Sequence, residues 1–363
     1  MHENHDEIIL KPISEVAKFQ KNLIPINIPD FYALKPMPEE FASKACIRKG
    51  IIAFRDFLLL FFDRLIFEGH LYAKSPKKPS SMNDYPFLHN ITNLLVDIGY
   101  YGKLNEKGNS LLVKEIPSCK IIEVNGKKKN AKISNSSFSD CLRFLALCGF
   151  TFLKGEILEV SFPHNSLLLV GLKALSIADM EFRTERRYWN DNNLLRCDYR
   201  LLKSEETDMI EVLRDFLHPL SKKIQDLALR LHQRYTDLGL TCIMTILGDV
   251  SIAYANINKN NKDLSSRNIY QKRIWEFSYS IKNGFCLFVR AKKADTYADL
   301  IKEFPVYLQN KIRNGYGCDR KLRNERCQKG CQGISLPLDE SLLDISNYLE
   351  IWLDNELPNS LKK

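Results

Sequence analysis

The chain reads as an α+β protein, with helical, winged-helix-like units in its N-terminal half and an antiparallel sheet with helices in its C-terminal half. Three observations predict this. A helix-period run that meets a glycine and is followed by two short strand-like segments occurs twice, around Gly99 and around Gly149. Two alternating runs, R-I-W-E-F-S-Y-S-I and F-C-L-F-V-R-A, flank Lys282-Asn283-Gly284, and Asn-Gly readily takes the positive φ of a hairpin turn. Helical patterns bracket that hairpin on both sides, so the order is helix, antiparallel sheet, helix, loop, helix.

Residues 1–45 hold Pro12, Pro25, Pro29, Pro36 and Pro38 and are expected to form an irregular lead-in with one short helix. An N-terminal domain is expected over 46–182. It opens on the most apolar run of the chain, I-I-A-F-R-D-F-L-L-L-F-F-D-R-L-I-F, residues 51–67, inside a helix over about 46–69. Arg55, Asp56, Asp63 and Arg64 interrupt that run at helical spacing. They mark a narrow polar stripe on a core helix, and no uncharged stretch approaches the roughly 20 residues a bilayer span needs. After a loop at 75–84, Ser81 or Asn83 is expected to cap a helix that Gly99 stops, followed by a strand pair through Val113. The second unit is expected to repeat this plan, with Ser136 or Ser137 capping 138–150 and a strand pair over 151–162. Asn165 caps a further helix through about Met180. The polar passage F-R-T-E-R-R-Y-W-N-D-N-N then predicts a linker and edge strand over 183–203.

The C-terminal α+β domain is expected over 204–360. A helix begins at 204–207 and breaks at His218-Pro219, and Ser221 caps a second one that ends at Gly239. Strands follow at 241–257, then the Asn-Gly hairpin. Thr296 starts a helix with an internal Pro305, and Asp339 or Ser341 opens the last helix.

The bulk composition is that of a folded chain: 45% hydrophobic, 10% aromatic and 27% charged, which excludes a disordered or fibrous protein. The N-terminus M-H-E-N-H-D-E has neither a basic segment nor a long apolar one, so no secretory signal is expected and a cytoplasmic location follows. The net charge of +9 permits an anionic partner, nucleic acid foremost. Lys127, Lys128 and Lys129 in the turn segment N-G-K-K-K-N-A-K, and Arg183, Arg186 and Arg187 in R-T-E-R-R-Y-W, are the candidate nucleic-acid contacts. Each also reads as a solvated turn or a polar linker. No Walker A loop, G-x-G-x-x-G, G-x-S-x-G or H-E-x-x-H is present.

The most pointed chemistry is G-Y-G-C-D-R-K-L-R-N-E-R-C-Q-K-G-C-Q-G-I, residues 315–334, with Cys318, Cys327 and Cys331 in one loop. Three readings stand side by side. The thiolates can hold a structural zinc ion, with a fourth ligand from Cys286, Asp319, His218 or His232. Cys318, among Arg320, Lys321 and Arg323, can be a reactive thiol of an enzyme or redox sensor. Or the loop simply packs, its glycines permitting tight turns. Because no export signal is read and a reducing compartment follows, a disulfide scaffold is not expected.

Several strings resemble a family of clostridial and related Gram-positive bacterial proteins: K-x-x-x-Y-x-D-x-I-x-x-F-P from Lys293 to Pro305, G-Y-G-C-D-R-K, C-x-x-G-C-Q-G and L-D-E-S-L-L-D-I-S. That family has no assigned activity. The resemblance therefore implies a shared fold and brings no catalytic residue.

Overall fold

The computed structural model describes residues 10–30, 32–76, 85–120, 122–124, 127–129, 131, 133–185, 193–247, 249–257, 272–314 and 333–361. The protein is α+β. It divides into two compact units, Met1–Thr207 and Asp208–Lys363.

The N-terminal unit is built on α1 (Ile13–Lys21), α2 (Lys44–Glu68), α3 (Pro86–Tyr101), α4 (Asn135–Leu147) and α5 (Leu167–Glu185). In α2 the apolar spacing buries Ile47, Ile51, Phe54, Leu58, Phe61 and Leu65, and Ser43 caps the helix by accepting from the Cys46 amide at 3.3 Å. The charges that interrupt this helix tie the lead-in to it. Arg55 donates to the carbonyls of Pro25 (2.9 Å) and Ile26, and Lys21 on α1 pairs with Asp63 at 2.5 Å. Below them Phe57, Phe61, Phe144, Phe150 and Phe162 meet edge to face, the arrangement that suits the ring quadrupoles.

Helix α5 is the centre of the unit. Every residue from Leu168 to Asp179 is buried, which is why its sequence is apolar nearly all round. It touches α2 backbone to backbone: a β-carbon on Gly171 would stand 2.1 Å from the Gly50 carbonyl oxygen, and one on Gly50 2.5 Å from the Gly171 nitrogen. On its other side, buried Lys173 donates to the Gly102 carbonyl at 2.8 Å and closes the C-terminus of α3, where a cation complements the helix dipole.

The two helix–hairpin patterns exist but do not form separate wings. Strands β1 (Lys103–Leu104) and β2 (Ser110–Val113) join β5 (Thr151–Lys154) and β6 (Leu158–Ser161) in one antiparallel sheet of order β1-β2-β6-β5. Gly149, at φ +103°, is the left-handed stop expected of it. Gly99 is not a stop. It lies within α3, which runs on to Tyr101, and its missing side chain makes room for Ser176 of α5. The helix begins at Pro86, while Ser81 and Asn83 fall outside the described residues. Ser134, rather than Ser136 or Ser137, caps α4, accepting from the Ser137 amide at 3.2 Å. A separate two-stranded ribbon pairs β3 (Ile122–Val124) with β4 (Lys127–Lys129). Residues 193–203, expected as a polar linker, instead pack into this unit. Leu194, Leu195 and Leu202 are buried there, and Asp198 pairs with Arg200 at 2.7 Å. Leu34 and Lys203 form an isolated antiparallel bridge.

The C-terminal unit opens on α6 (Met209–Leu217), capped by Asp208 through the Ile210 amide, and α7 (Lys222–Asp237). Five strands follow: β7 (Thr241–Leu247), β8 (Asp249–Ala255), β9 (Arg273–Ser280), β10 (Gly284–Val289) and β11 (Ile334–Pro337). They form an antiparallel sheet of order β11-β10-β9-β8-β7. The expected helix across Pro305 is divided there, because proline cannot continue the ladder of a preceding turn, and resumes at Val306–Asn314. The last helix, Ser346–Glu356, is held to α7 by Arg234–Asp354 at 2.6 Å and Arg230–Glu350 at 3.0 Å. No described helix is long and apolar enough to cross a membrane.

Gly171→Ala is expected to destabilise the chain by about 3 kcal/mol or more, since the α2 backbone at Gly50 and Ile51 blocks the added carbon. Gly155→Ala, whose added carbon meets only the Ile157 carbonyl at 3.7 Å, should stay within about 0.5 kcal/mol. Urea unfolding of the two variants measures the contrast, and equal stabilities would contradict the packing described.

Candidate functional site

Alternation along β9 divides the C-terminal sheet into two chemically different faces. Trp275, Phe277 and Tyr279 point to the face that α6 and α7 cover. There Trp275 stacks on Tyr254 with centroids 3.7 Å apart and meets Tyr235 of α7, and Phe285 meets Phe216 of α6. Within this core His232 and the Tyr254 hydroxyl lie 2.9 Å apart, and Tyr254 hydrogen-bonds Cys242. Burial drives all three toward their neutral forms, lowering the imidazole and raising the phenol and the thiol, the last to about 12. The chain of three is therefore uncharged packing.

Glu276, Ser278 and Ser280 point the other way. The register places Ser251, Ser278 and Cys286 side by side across β8, β9 and β10, with 2.9 Å between the Ser278 hydroxyl and the Cys286 sulfur. One step along, buried Glu276 accepts a two-oxygen pair from Arg273 at 2.5 Å, hydrogen-bonds Ser251 and feels the charge of Arg290. The Arg273 guanidinium also lies 4.8 Å from the centroid of the Phe288 ring. The backbone of Gly333 rests against that same ring: a β-carbon there would fall 2.3 Å from Phe288 Cζ, and φ is +72°. Gly333 follows directly on the cysteine segment. The chain thus leaves that segment on the polar face of the sheet, pinned by an aromatic ring that an ion pair supports.

This placement sorts the candidate metal ligands. His232 belongs to the helix-covered face, and His218 lies by the Asp215 carbonyl at 2.7 Å at the end of α6. Cys286 is on β10, opposite Pro337 of β11 and four residues along the strand from Gly333. Cys318, Cys327, Cys331 and Asp319 lie outside the described residues, as do Arg186 and Arg187. Among the described residues no three histidine, cysteine or acidic side chains converge as a metal site. Lys127, Lys128 and Lys129 form β4, and Arg183 lies in the last turn of α5.

The strings that carry the family resemblance have structural work in this fold. Lys293, through its amide at 3.1 Å, and Tyr297, through its hydroxyl, both donate to buried Glu356, while the Trp352 indole donates to Tyr297 at 2.9 Å. Asp339 accepts from the Ser341 amide at 3.0 Å at the start of the short helix Ser341–Asp344, which ends before the last helix. The polar face itself was missed from sequence, although R-I-W-E-F-S-Y-S already separates glutamate and serines from aromatics at period two. Compared with protein-family models, curated proteins and solved structures, the chain finds no match in any of the three.

Burial raises the Glu276 carboxyl above its ordinary range, outweighing the pull of Arg273 and Arg290. A raised folded value favours the protonated form in the native state, so its stabilising share is complete at low pH and is lost as pH rises through that value. Relative to Glu276→Gln, the native chain should therefore gain stability in denaturant titrations on going from about pH 7 to about pH 5. A native chain that loses ground to the variant on acidification would contradict this balance.

Proposed function

We propose that this chain is a cytoplasmic binding or regulatory protein that contacts nucleic acid and carries a structural zinc ion on its cysteine segment. The observation that carries the nucleic-acid reading is the β3–β4 ribbon. It strings Lys127, Lys128 and Lys129 along one strand of a narrow two-stranded element, in a chain of net charge +9. Helix α3 has no lysine or arginine, and the one arginine of α4, Arg143, is paired with Asp140 at 3.3 Å. Phosphate contact therefore falls to the ribbon rather than to a recognition helix. Arg183, Arg186 and Arg187 belong to the same proposal as a second basic segment.

Cys318, Cys327 and Cys331 would hold the zinc, whose contribution is a covalent-strength crosslink of the segment. Cys286, on the strand that pairs with β11, is one candidate for the fourth ligand, beside Asp319, His218 and His232. The resemblance to the bacterial family belongs to this proposal as well, and adds no activity to it.

A second reading is a thiol-dependent enzyme or redox sensor centred on Cys318. One observation favours looking there. Burial raises the thiols of Cys197 and of Cys119, Cys141, Cys148 and Cys242, the last four to about 11 or 12, so none of these five is a thiolate near neutrality. Preferential alkylation of Cys318 at neutral pH in metal-free protein would select this reading over the first.

The nucleic-acid reading is tested with purified full-length chain and short single-stranded and duplex oligonucleotides. Binding should weaken steeply with salt, and replacing Lys127, Lys128 and Lys129 by alanine should lower the logarithmic salt slope by about 1 for each phosphate that the variant no longer neutralises. Absence of salt-sensitive binding, or an unchanged slope in the triple variant, would overturn it.

A further inference from the structure

We propose that Tyr100 and Tyr101, at the end of α3, are a stacking platform for the bases of single-stranded nucleic acid whose phosphates run over the lysines beside them, a reading that rests on the nucleic-acid function above and narrows it to single strands. From Leu94 to Gly99 every residue of α3 is buried, and the first two side chains to emerge are these tyrosines, 39% and 37% exposed. Exposed large rings side by side are the informative departure at a surface, where polar side chains are the rule. Their centroids are 4.9 Å apart. Such rings stack on any unpaired base, since every base has a π face, and single-strand binders gain affinity in this way beyond charge. A duplex keeps its bases stacked on one another and leaves the rings little but backbone to touch.

The charge is in the same place. Residues 100–132 hold eight lysines against three glutamates, a surplus of five in a chain whose total is +9. Lys103, Lys107, Lys114 and Lys120 are all exposed. The fold draws this segment back onto the end of α3. Buried Asp97, one turn before Tyr101, accepts from the Ser118 amide at 2.8 Å, and the Ser118 carbonyl accepts from the Ile133 amide at 2.9 Å. The stretch that carries the β3–β4 ribbon therefore leaves and returns beside the tyrosines. Burial first, then the charges of Asp97, Tyr100 and Glu115, raise the Tyr101 phenol, so this ring is neutral where nucleic acid would meet it.

The acids nearby do not cancel the lysines. Asp97 is buried on its amide bond, Glu115 is paired with Lys120, and Glu39 lies 3.9 Å from buried Lys173. Glu159 sits two strands away from Lys103, across Leu112. Exposed Glu106, in the β1–β2 turn, subtracts one charge. Among the described residues Lys103, Lys107 and Lys114 form no ion pair, and they are left for phosphate.

The test uses the full-length chain and three probes of equal length, read by fluorescence anisotropy: oligothymidylate, a strand with abasic sugars throughout, and a duplex. Oligothymidylate should bind at least about tenfold tighter than the abasic strand, which carries the same phosphates without bases. Replacing both rings, Tyr100→Leu with Tyr101→Leu, should weaken oligothymidylate at least about tenfold and leave the abasic strand and the duplex unchanged. Tyr100→Phe with Tyr101→Phe keeps the rings and should bind as the native chain does. If the double leucine variant does not fold, Tyr100→Leu alone should still cost about fivefold. Equal binding of oligothymidylate and the abasic strand, or a folded leucine variant that holds oligothymidylate undiminished, would overturn the platform and leave the nucleic-acid reading standing. Absence of salt-sensitive binding to all three probes would remove both.

Discussion

Close approach of backbone to its surroundings at glycine is the constraint on which both units depend. In the N-terminal unit the α2 and α5 backbones touch at Gly50 and Gly171, and any side chain at either position would have to occupy the other helix. That contact seats α5 deep enough to be buried along its length. From there its side chains reach outward: Lys173 to the end of α3, Ser176 into the space that Gly99 leaves, and Asp179 to Asn193. In the C-terminal unit Gly333 does the same against a ring, laying the chain flat on Phe288 as it joins the sheet. Helix packing through small residues gives up side-chain area but gains backbone proximity, and the surrounding aromatics restore the buried area.

Buried polar groups are the second theme, and they divide by how well they are satisfied. Glu356 gathers donors from Lys293 and Tyr297 and fastens the last helix to the segment after β10. Glu276 has Arg273 and Ser251, yet burial still outweighs its partners. Such groups cost more when half-paired than an apolar core would, so a fully paired one fixes a single arrangement of its elements.

Much of this was legible in the sequence where a local rule governs. Asn283-Gly284 set the hairpin, the apolar spacing of residues 51–67 set α2, and Gly149 ended α4. The failures arise where a tertiary contact overrides the local signal. Gly99 follows an apolar periodic run and reads as a stop, but it is a packing glycine whose purpose is visible only with Ser176 beside it. Residues 193–203 look like a linker because they are polar, yet Asp198 pairs with Arg200 and the leucines around them are buried. The polar face of the sheet was available from alternation alone. Which face the helices cover was not, because that depends on the pairing of distant rings such as Tyr235 with Trp275.

The functional reading turns on whether the cysteine segment is a metal knot, and the polar face beneath Gly333 gives it one fixed end. Elemental analysis of full-length protein prepared without chelators, beside Cys327→Ser, tests this most directly. A structural site predicts about one zinc per chain, absent from the variant together with part of its stability. Metal-free native protein, with a Cys327→Ser variant that unfolds at the same denaturant concentration, would contradict it.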